Sequence, residues 1–275
     1  MKDLDPLVDM VTLTIYTAYI KNLPKPNSLL IIAKPESGKT EIMKKFISNK
    51  NVAYVSDLTA YGIERDYLSR IEAREIRHII IPDLLKPLSR KESTVKTFVT
   101  MMNGLIEEGI ASVSTYATKR SSEKHVKCGI ITAITGEELK DQRHNWGRIG
   151  FLSRIVPFSY SYGIITVKKV FDYILGLGYM KESDILLGRI PKQDKVIKLP
   201  KRYAQAILPS TTAIAQAQKT YGFRLQKQFQ ALLQASALEK GRKSVTSQDV
   251  ERVLNLMNWV NFDEKPISSN KRPSK

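Results

Sequence analysis

"IIAKPESGKTEI", residues 31–42, carries the spacing of a phosphate-binding loop, G-x-x-x-x-G-K-[ST], with Ala33 in place of the first glycine. Such a loop turns successive backbone N–H groups inward as a nest for phosphate oxygens, at the positive end of the following helix. Lys39 is then the cation for the outer phosphates, Thr40 the hydroxyl for a magnesium ion, and Gly38 the point of close backbone approach. Ala33, Pro35, Glu36, Ser37 and Glu41 complete the candidate cradle. A methyl group at Ala33 costs little unless that residue needs a positive φ, and Pro35 and Gly38 can supply much of the turn.

The flanks fit the loop. "SLLIIA" (Ser28 to Ala33) is a short apolar run of the kind found in buried parallel strands. "GKTEIMKKFISN" follows as an amphipathic helix that places Ile42, Phe46 and Ile47 on one face. Further apolar runs read as strands at Asn51 to Asp57, Arg77 to Asp83, Cys128 to Thr135 and Ile155 to Tyr162. Strands alternating with helical patterns predict an α/β fold, a parallel sheet wrapped by helices. The Arg77 to Asp83 strand ends in an acid, as a Walker B strand does, which makes Asp83 the second candidate magnesium residue. Leu84 follows where many such ATPases carry a glutamate that orients the attacking water. Glu36, Glu107 and Glu108 are possible substitutes, with nothing in the sequence to select among them.

Composition narrows the function classes. The 275 residues hold 44 Lys and Arg against 27 Asp and Glu, a net charge of +17, and a sequence pI near 9.8. That excess favours a polyanionic partner, most often nucleic acid. A single cysteine, Cys128, excludes internal disulfides and points to a reducing, cytoplasmic setting. One cysteine and three histidines (His78, His125, His144) supply no zinc cluster. No apolar run approaches the ~18 residues of a membrane span, and the acidic opening "MKDLDPLVDM" is unlike a signal peptide.

From Asp83 to Tyr162 the order of features resembles AAA+ ATPases, and within them the minichromosome-maintenance (MCM) helicases. "MMNGLIEEGIASVSTYATKR" looks like the MCM succession of helix, short strand and β-hairpin that leads to a sensor strand. The resemblance makes Thr135 the polar γ-phosphate sensor at that strand's tip, with Thr132 the alternative. In "WGRIGFLSRIVPFSYSY" the leucine-serine-arginine triplet implies an arginine finger at Arg154, with Arg148 a second candidate. A finger acts from a neighbouring subunit, so it implies a homo-oligomeric ring, hexameric in this family, or a filament.

"YGFRLQKQFQALLQASALEKGRKSVTSQDVERVLNLMNWV" is similar to the family's helical lid, with Phe223, Phe229, Leu232, Leu233 and Leu238 on a helical repeat. Arg224 matches the sensor-two arginine, and Thr246 with Asp249 three residues on is close to a capping box. The resemblance spans residues 28–162 and 221–260 and leaves 164–203 unmatched. It implies an AAA+ nucleotide-binding domain over 1–163 and a mostly helical lid over 164–262, while the Pro, Ser and basic residues of "PISSNKRPSK", with no apolar period, predict a disordered basic tail over 263–275. The chain lacks the large N-terminal domain of cellular MCM proteins, so the expectation is a minimal motor of the mobile-element or phage type.

In that reading the cofactors are ATP and Mg2+, the partner is DNA, and a replication or mobile-element protein is a further candidate. "TKRSSEKHVK" is the hairpin candidate for nucleic acid, with Lys119, Arg120, Lys124 and Lys127 projecting toward phosphates. A second basic stretch runs from Lys192 to Arg202 beside Tyr203. Three functions remain open: a DNA-directed ring motor, a DNA-bound ATP switch with slow hydrolysis, and a nucleotide-stabilised protein scaffold.

Overall fold

The computed structural model describes residues 4–114, 119–181, 183–264 and 266–267, and describes no side chains at 112–124, 179, 181 or 266–267. The opening helix α1 (Asp5–Tyr16) leads to β1 (Leu29–Ile32), the loop 33–38 and α2 (Lys39–Lys44). Then come β2 (Val52–Tyr54), the short helices α3 (Ala60–Gly62) and α4 (Leu68–Glu72), and β3 (His78–Ile81). After α5 (Leu85–Leu88) and α6 (Glu92–Asn103), a π-turn over Gly104–Glu108 feeds the hairpin β4 (Ile110–Ser114) and β5 (Lys119–Val126). Next are β6 (Gly129–Ile134), α7 (Gly136–Arg148), β7 (Val156–Ser159), β8 (Ser161–Tyr162) and α8 (Ile164–Leu175). The rest is helical, α9 (Lys201–Ala206), α10 (Leu208–Ala217), α11 (Phe223–Glu239) and α12 (Ser247–Met257), until β9 (Pro266–Ile267) pairs in parallel with β8.

The chain is an α/β protein. Its central sheet has five parallel strands in the order β2-β3-β6-β1-β7. Strand β1 is enclosed on both edges, Leu29 to Ile32 lying against Ile131 to Ile134 on one side and Val156 to Ser159 on the other. Its alternate side chains feed two cores. Leu29 and Ile31 pack with α1, α11 and α12, while Leu30 and Ile32 pack with β3, α6 and Trp146 of α7. Burial on both faces is why this strand is a continuous apolar run instead of an alternating one.

The expected strands are all present with trimmed ends, and β8 leaves the main sheet to pair with β9. Helix α2 is shorter than its pattern predicts. Ile42 and Phe46 are buried as expected, but Ile47 lies past the last helical residue and is 43% exposed. Phe223 likewise departs from its helical repeat: it opens α11 beyond the core and is 74% exposed, whereas Phe229, Leu232, Leu233 and Leu238 are buried. Thr246 and Asp249 form the full capping box of α12. Asp249 also accepts from Ser236 Oγ at 2.6 Å and Arg242 Nη2 at 2.7 Å, which ties α11 to α12.

One polar side chain in the sheet carries a pH signature. His78 in β3 is fully buried, and its Nε2 lies 3.2 Å from the Asn27 carbonyl. A carbonyl only accepts, so Nε2 carries the proton, and Nδ1 has no partner among the described residues. Burial holds its pKa down at about 4, against 6.5 for an ordinary histidine. The unfolded chain therefore binds the extra proton first, and His78 subtracts stability as pH falls from about 6.5 toward 4. Between pH 7 and pH 4.5 this amounts to about 2 to 3 kcal/mol. Urea unfolding of His78→Gln should lose that much less stability over the interval than the wild type; equal slopes would contradict the assignment.

Candidate functional site

Strand β1 delivers the chain to the loop with Ala33 fully buried, its N–H donating to the Ile134 carbonyl at 3.3 Å as the ladder's last bond. The positive φ angles of the loop fall at Glu36 (59°) and Gly38 (84°), and Ala33 is not among the positive-φ residues. The glycine that the usual motif carries at Ala33 is thus not required by this backbone. Glu36 bears the cost instead, about 1 kcal/mol for a non-glycine residue in the left-handed region.

Two tyrosines fix the loop from outside. Tyr160 donates its hydroxyl to the Ser37 carbonyl at 3.0 Å, and the Tyr162 hydroxyl donates to the same oxygen. Burial raises both phenols, Tyr162 to about 12, so both stay protonated donors. Ser37 itself is buried, and its Oγ has no partner among the described residues. Lys39 opens α2 and folds back, Nζ donating to the carbonyls of Ala33 at 2.5 Å and Lys34 at 2.7 Å. Burial lowers its pKa, opposed by the carboxylates of Glu264, Glu138 and Asp83. Thr40, next in the chain, is half-buried. Pro35 and Glu36 are exposed, and Glu41 forms an exposed ion pair with Lys44 at 2.9 Å.

Placing β6 between β1 and β3 gathers three strand ends at one edge of the sheet. Asp83 follows β3 and is half-buried, its Oδ1 accepting from the Leu85 N–H at 2.9 Å. Leu84 is core, 1% exposed, and its N–H donates to Ala133. Thr135 follows β6 and caps α7, its hydroxyl accepting from the Glu138 N–H at 3.2 Å while Glu138 accepts from the Thr135 N–H at 3.0 Å. Thr132 is fully buried three residues further in, so of the two threonines only Thr135 reaches the site's surface. Between Thr135 and Lys34 opens a cleft of about 590 Å³.

The far wall of that cleft is Phe262, Asp263 and Glu264. Ser159 at the end of β7 binds this segment twice, its N–H donating to the Trp259 carbonyl at 2.9 Å and its Oγ to the Asp263 carbonyl at 2.7 Å. Arg143 of α7 pairs with Asp263 at 3.1 Å, and the Glu264 carboxylate lies against Gly136. Sequence reasoning missed these residues and grouped 263–264 with a disordered tail. Nothing local marks an acid pair after a helix as part of a site built from the strand ends; the remainder of the tail, 265 and 268–275, lies outside the described residues.

The arginines are elsewhere. Arg154 precedes β7 and Lys39 follows β1, and the two strands run side by side in parallel. The four-residue strand length alone separates the two levels by roughly 13 Å. Arg154 donates to the Gly150 carbonyl at 2.8 Å and pairs with Glu108 at 3.1 Å. Arg224 joins it, donating to Ser153 Oγ at 3.0 Å and lying 3.7 Å from Glu107, which also binds Lys25. Arg148 is exposed at the end of α7. Glu107 and Glu108 therefore serve these cations and are not beside Lys39 of the same chain, which removes them as catalytic bases within one chain. Among the described residues no group of three or more His, Cys, Asp or Glu is placed to hold a metal by itself.

The hairpin is present, Val113 opposite Arg120 and Ser114 opposite Lys119. Its tip, 115–118, and the side chains of Lys119, Arg120 and Lys124 lie outside the described residues. Lys127 at its base is half-buried and lines a recess with Lys21, Lys25 and His125. In the second basic stretch Arg202 stacks on Tyr203 at 4.7 Å. No helix among the described residues is long and apolar enough to cross a membrane. Neither the protein-family models nor the curated proteins contain a match to this chain.

The tyrosine pair makes a direct prediction. Two hydrogen bonds to one carbonyl are worth about 1 kcal/mol each. Tyr160→Phe with Tyr162→Phe should accelerate hydrogen exchange of the amides at 36–40 by roughly 30-fold, with global stability little changed. Unaltered exchange at those amides would mean the loop is held by its own backbone.

Proposed function

We propose that this protein is an ATP-binding AAA+ P-loop ATPase that acts on DNA as a head-to-tail ring or filament. The observation that carries the reading is the Lys39 ammonium held on the loop's own Ala33 and Lys34 carbonyls, above a turn whose left-handed positions are Glu36 and Gly38. A triphosphate offers that ammonium better acceptors, and the exchange leaves the sheet undisturbed. The orphaned Ser37 hydroxyl and the half-buried Thr40 and Asp83 fit a nucleotide with a magnesium ion, which takes a hydroxyl, waters and phosphate oxygens more often than a cage of carboxylates. The ion supplies charge neutralisation on the phosphates; Thr40 and Asp83 would hold and orient it.

Two features support assembly and a DNA partner. Arg154 and Arg224 stand together at the opposite end of the sheet from Lys39, as a finger and a sensor acting on a neighbour's nucleotide require. The net charge of +17 and the basic hairpin suit phosphate-backbone contacts without base reading. A second reading, a DNA-bound switch with slow turnover, is favoured by Leu84, a core residue where motors of this kind place a catalytic glutamate. The ATPase rate with and without single- and double-stranded DNA separates the two: strong stimulation marks the motor, DNA binding with negligible turnover the switch.

Lys39→Ala should abolish ATP binding, measured with a fluorescent analogue, and wild-type binding would sink the loop assignment. Arg154→Ala should bind ATP but lose turnover, and mixing the two variants should restore part of the activity, since each brings an intact half to a shared site. A monomeric, fully active Arg154→Ala protein would eliminate the finger. For the hairpin, Lys119→Ala with Arg120→Ala and Lys124→Ala should flatten the log-affinity against log-salt slope for DNA by roughly two to three units. Basal ATPase should persist, and an unchanged slope would move DNA binding to the Lys192 to Arg202 stretch.

A further inference from the structure

Helix α8 turns its apolar stripe to solvent. Ile164, Val167, Phe171, Ile174 and Leu175 recur at helical spacing over about 100° of arc, the width of a stripe that ordinarily faces a core. All five are exposed, Ile164 at 90%, Leu175 at 80% and Phe171 at 61%, and Met180 just beyond the helix adds 72%. The residue turned inward is Thr166, with Val170 and Tyr173 half-buried beside it. A contiguous apolar surface of this kind on a soluble chain marks an interaction site.

A complementary surface exists at the other end of the sheet. A groove of about 480 Å³ runs between Leu152–Ile155 and Tyr221–Leu225. Its rim is Tyr221, 90% exposed, stacked on Phe223, 74% exposed, with ring centroids 5.8 Å apart. Ser153 and Arg224 line the same groove.

We propose that α8 of one copy seats in the Tyr221–Phe223 groove of the next. The occupant follows from where the two surfaces lie. Helix α8 leaves β8, whose Tyr162 holds the phosphate-type loop, so the stripe flanks the Lys39 end of the molecule. The groove is walled by the segment that carries Arg154 and Arg224, so it flanks the arginine end. A heterologous contact that brings these arginines to the next copy's Lys39 also brings groove to stripe. An isologous contact would set α8 against α8 and leave both arginines remote from any loop. The inference rests on the shared-site reading proposed above, and it adds the pair of surfaces that make the joint.

Sedimentation of the full chain without nucleotide tests it. One variant, Phe171→Glu with Leu175→Glu, spoils the stripe; another, Tyr221→Ser with Phe223→Glu, spoils the groove. All four residues are exposed, and unchanged thermal unfolding verifies the fold. Each variant alone should remain monomeric at concentrations about 100-fold above those at which the wild type assembles. An equimolar mixture should stop at a heterodimer, because one intact stripe and one intact groove remain. The proposal is overturned by a wild type that stays monomeric to about 100 µM, by variants that assemble like the wild type, or by a mixture that stays monomeric. Lys39→Ala keeps the two readings apart: loss of ATP binding with assembly retained supports both, whereas retained ATP binding in a chain that assembles through α8 removes only the nucleotide assignment.

Discussion

Enclosure of β1 is the constraint on which the rest of the structure depends. With β6 on one edge, β7 on the other and a packed core against each face, the strand has no freedom to slide, because a one-residue shift would exchange the members of its two cores. Its rigidity is passed to the loop at both ends of the turn. Ala33 is bonded into the sheet through Ile134, and Ser37 is bonded to Tyr160 and Tyr162 from the segment that follows β7. The loop backbone can then hold Glu36 in a left-handed conformation that an isolated peptide would avoid.

The same register explains why the acids collect where they do. Thr135 reaches the loop because β6 ends level with β1, Asp83 because it extends two residues past the earlier end of β3, and Glu138 because it completes the cap of α7. Glu264 arrives by a separate route, on a segment pinned to the end of β7 by Ser159. Three carboxylates thus act on one half-buried ammonium, and they oppose the loss of its proton that burial favours. In the proposed nucleotide complex this balance shifts, since phosphates take over the ammonium and leave Glu138 and Glu264 facing additional negative charge.

What could be read from the sequence was local. The buried strands declare themselves as unbroken apolar runs, and the cap at Thr246 needs only the residue three positions on. Ile47 and Phe223 defeated the same periodic reading because each belongs to a helix end, where the pattern continues for a turn after the packing has stopped. The tyrosine clamp was invisible: Tyr160 and Ser37 are 123 positions apart and meet only through strand register. Glu264 was invisible for the same reason, and the exposure of α8, within the unmatched 164–203, could not be read because a stripe in sequence does not say which side the protein lies on.

At the arginine end of the molecule the cations are held more by backbone than by carboxylates. Arg154 is 13% exposed and braced by the carbonyls of Ile149 and Gly150, so its position is set by backbone. Its acidic partner, Glu108, is 65% exposed, and an ion pair with so wet a member contributes little. Glu107 is more enclosed, at 25%, but it is already satisfied by Lys25 and lies only at 3.7 Å from Arg224. Neither arginine is therefore locked to a strong partner within its own chain. In the proposed assembly, Arg154 keeps its carbonyl braces while both guanidinium groups exchange weak carboxylate contacts for charge-assisted ones to a neighbour's phosphates. The difference between those two sets of contacts is the free energy by which nucleotide would strengthen a joint whose apolar part, stripe in groove, is indifferent to nucleotide.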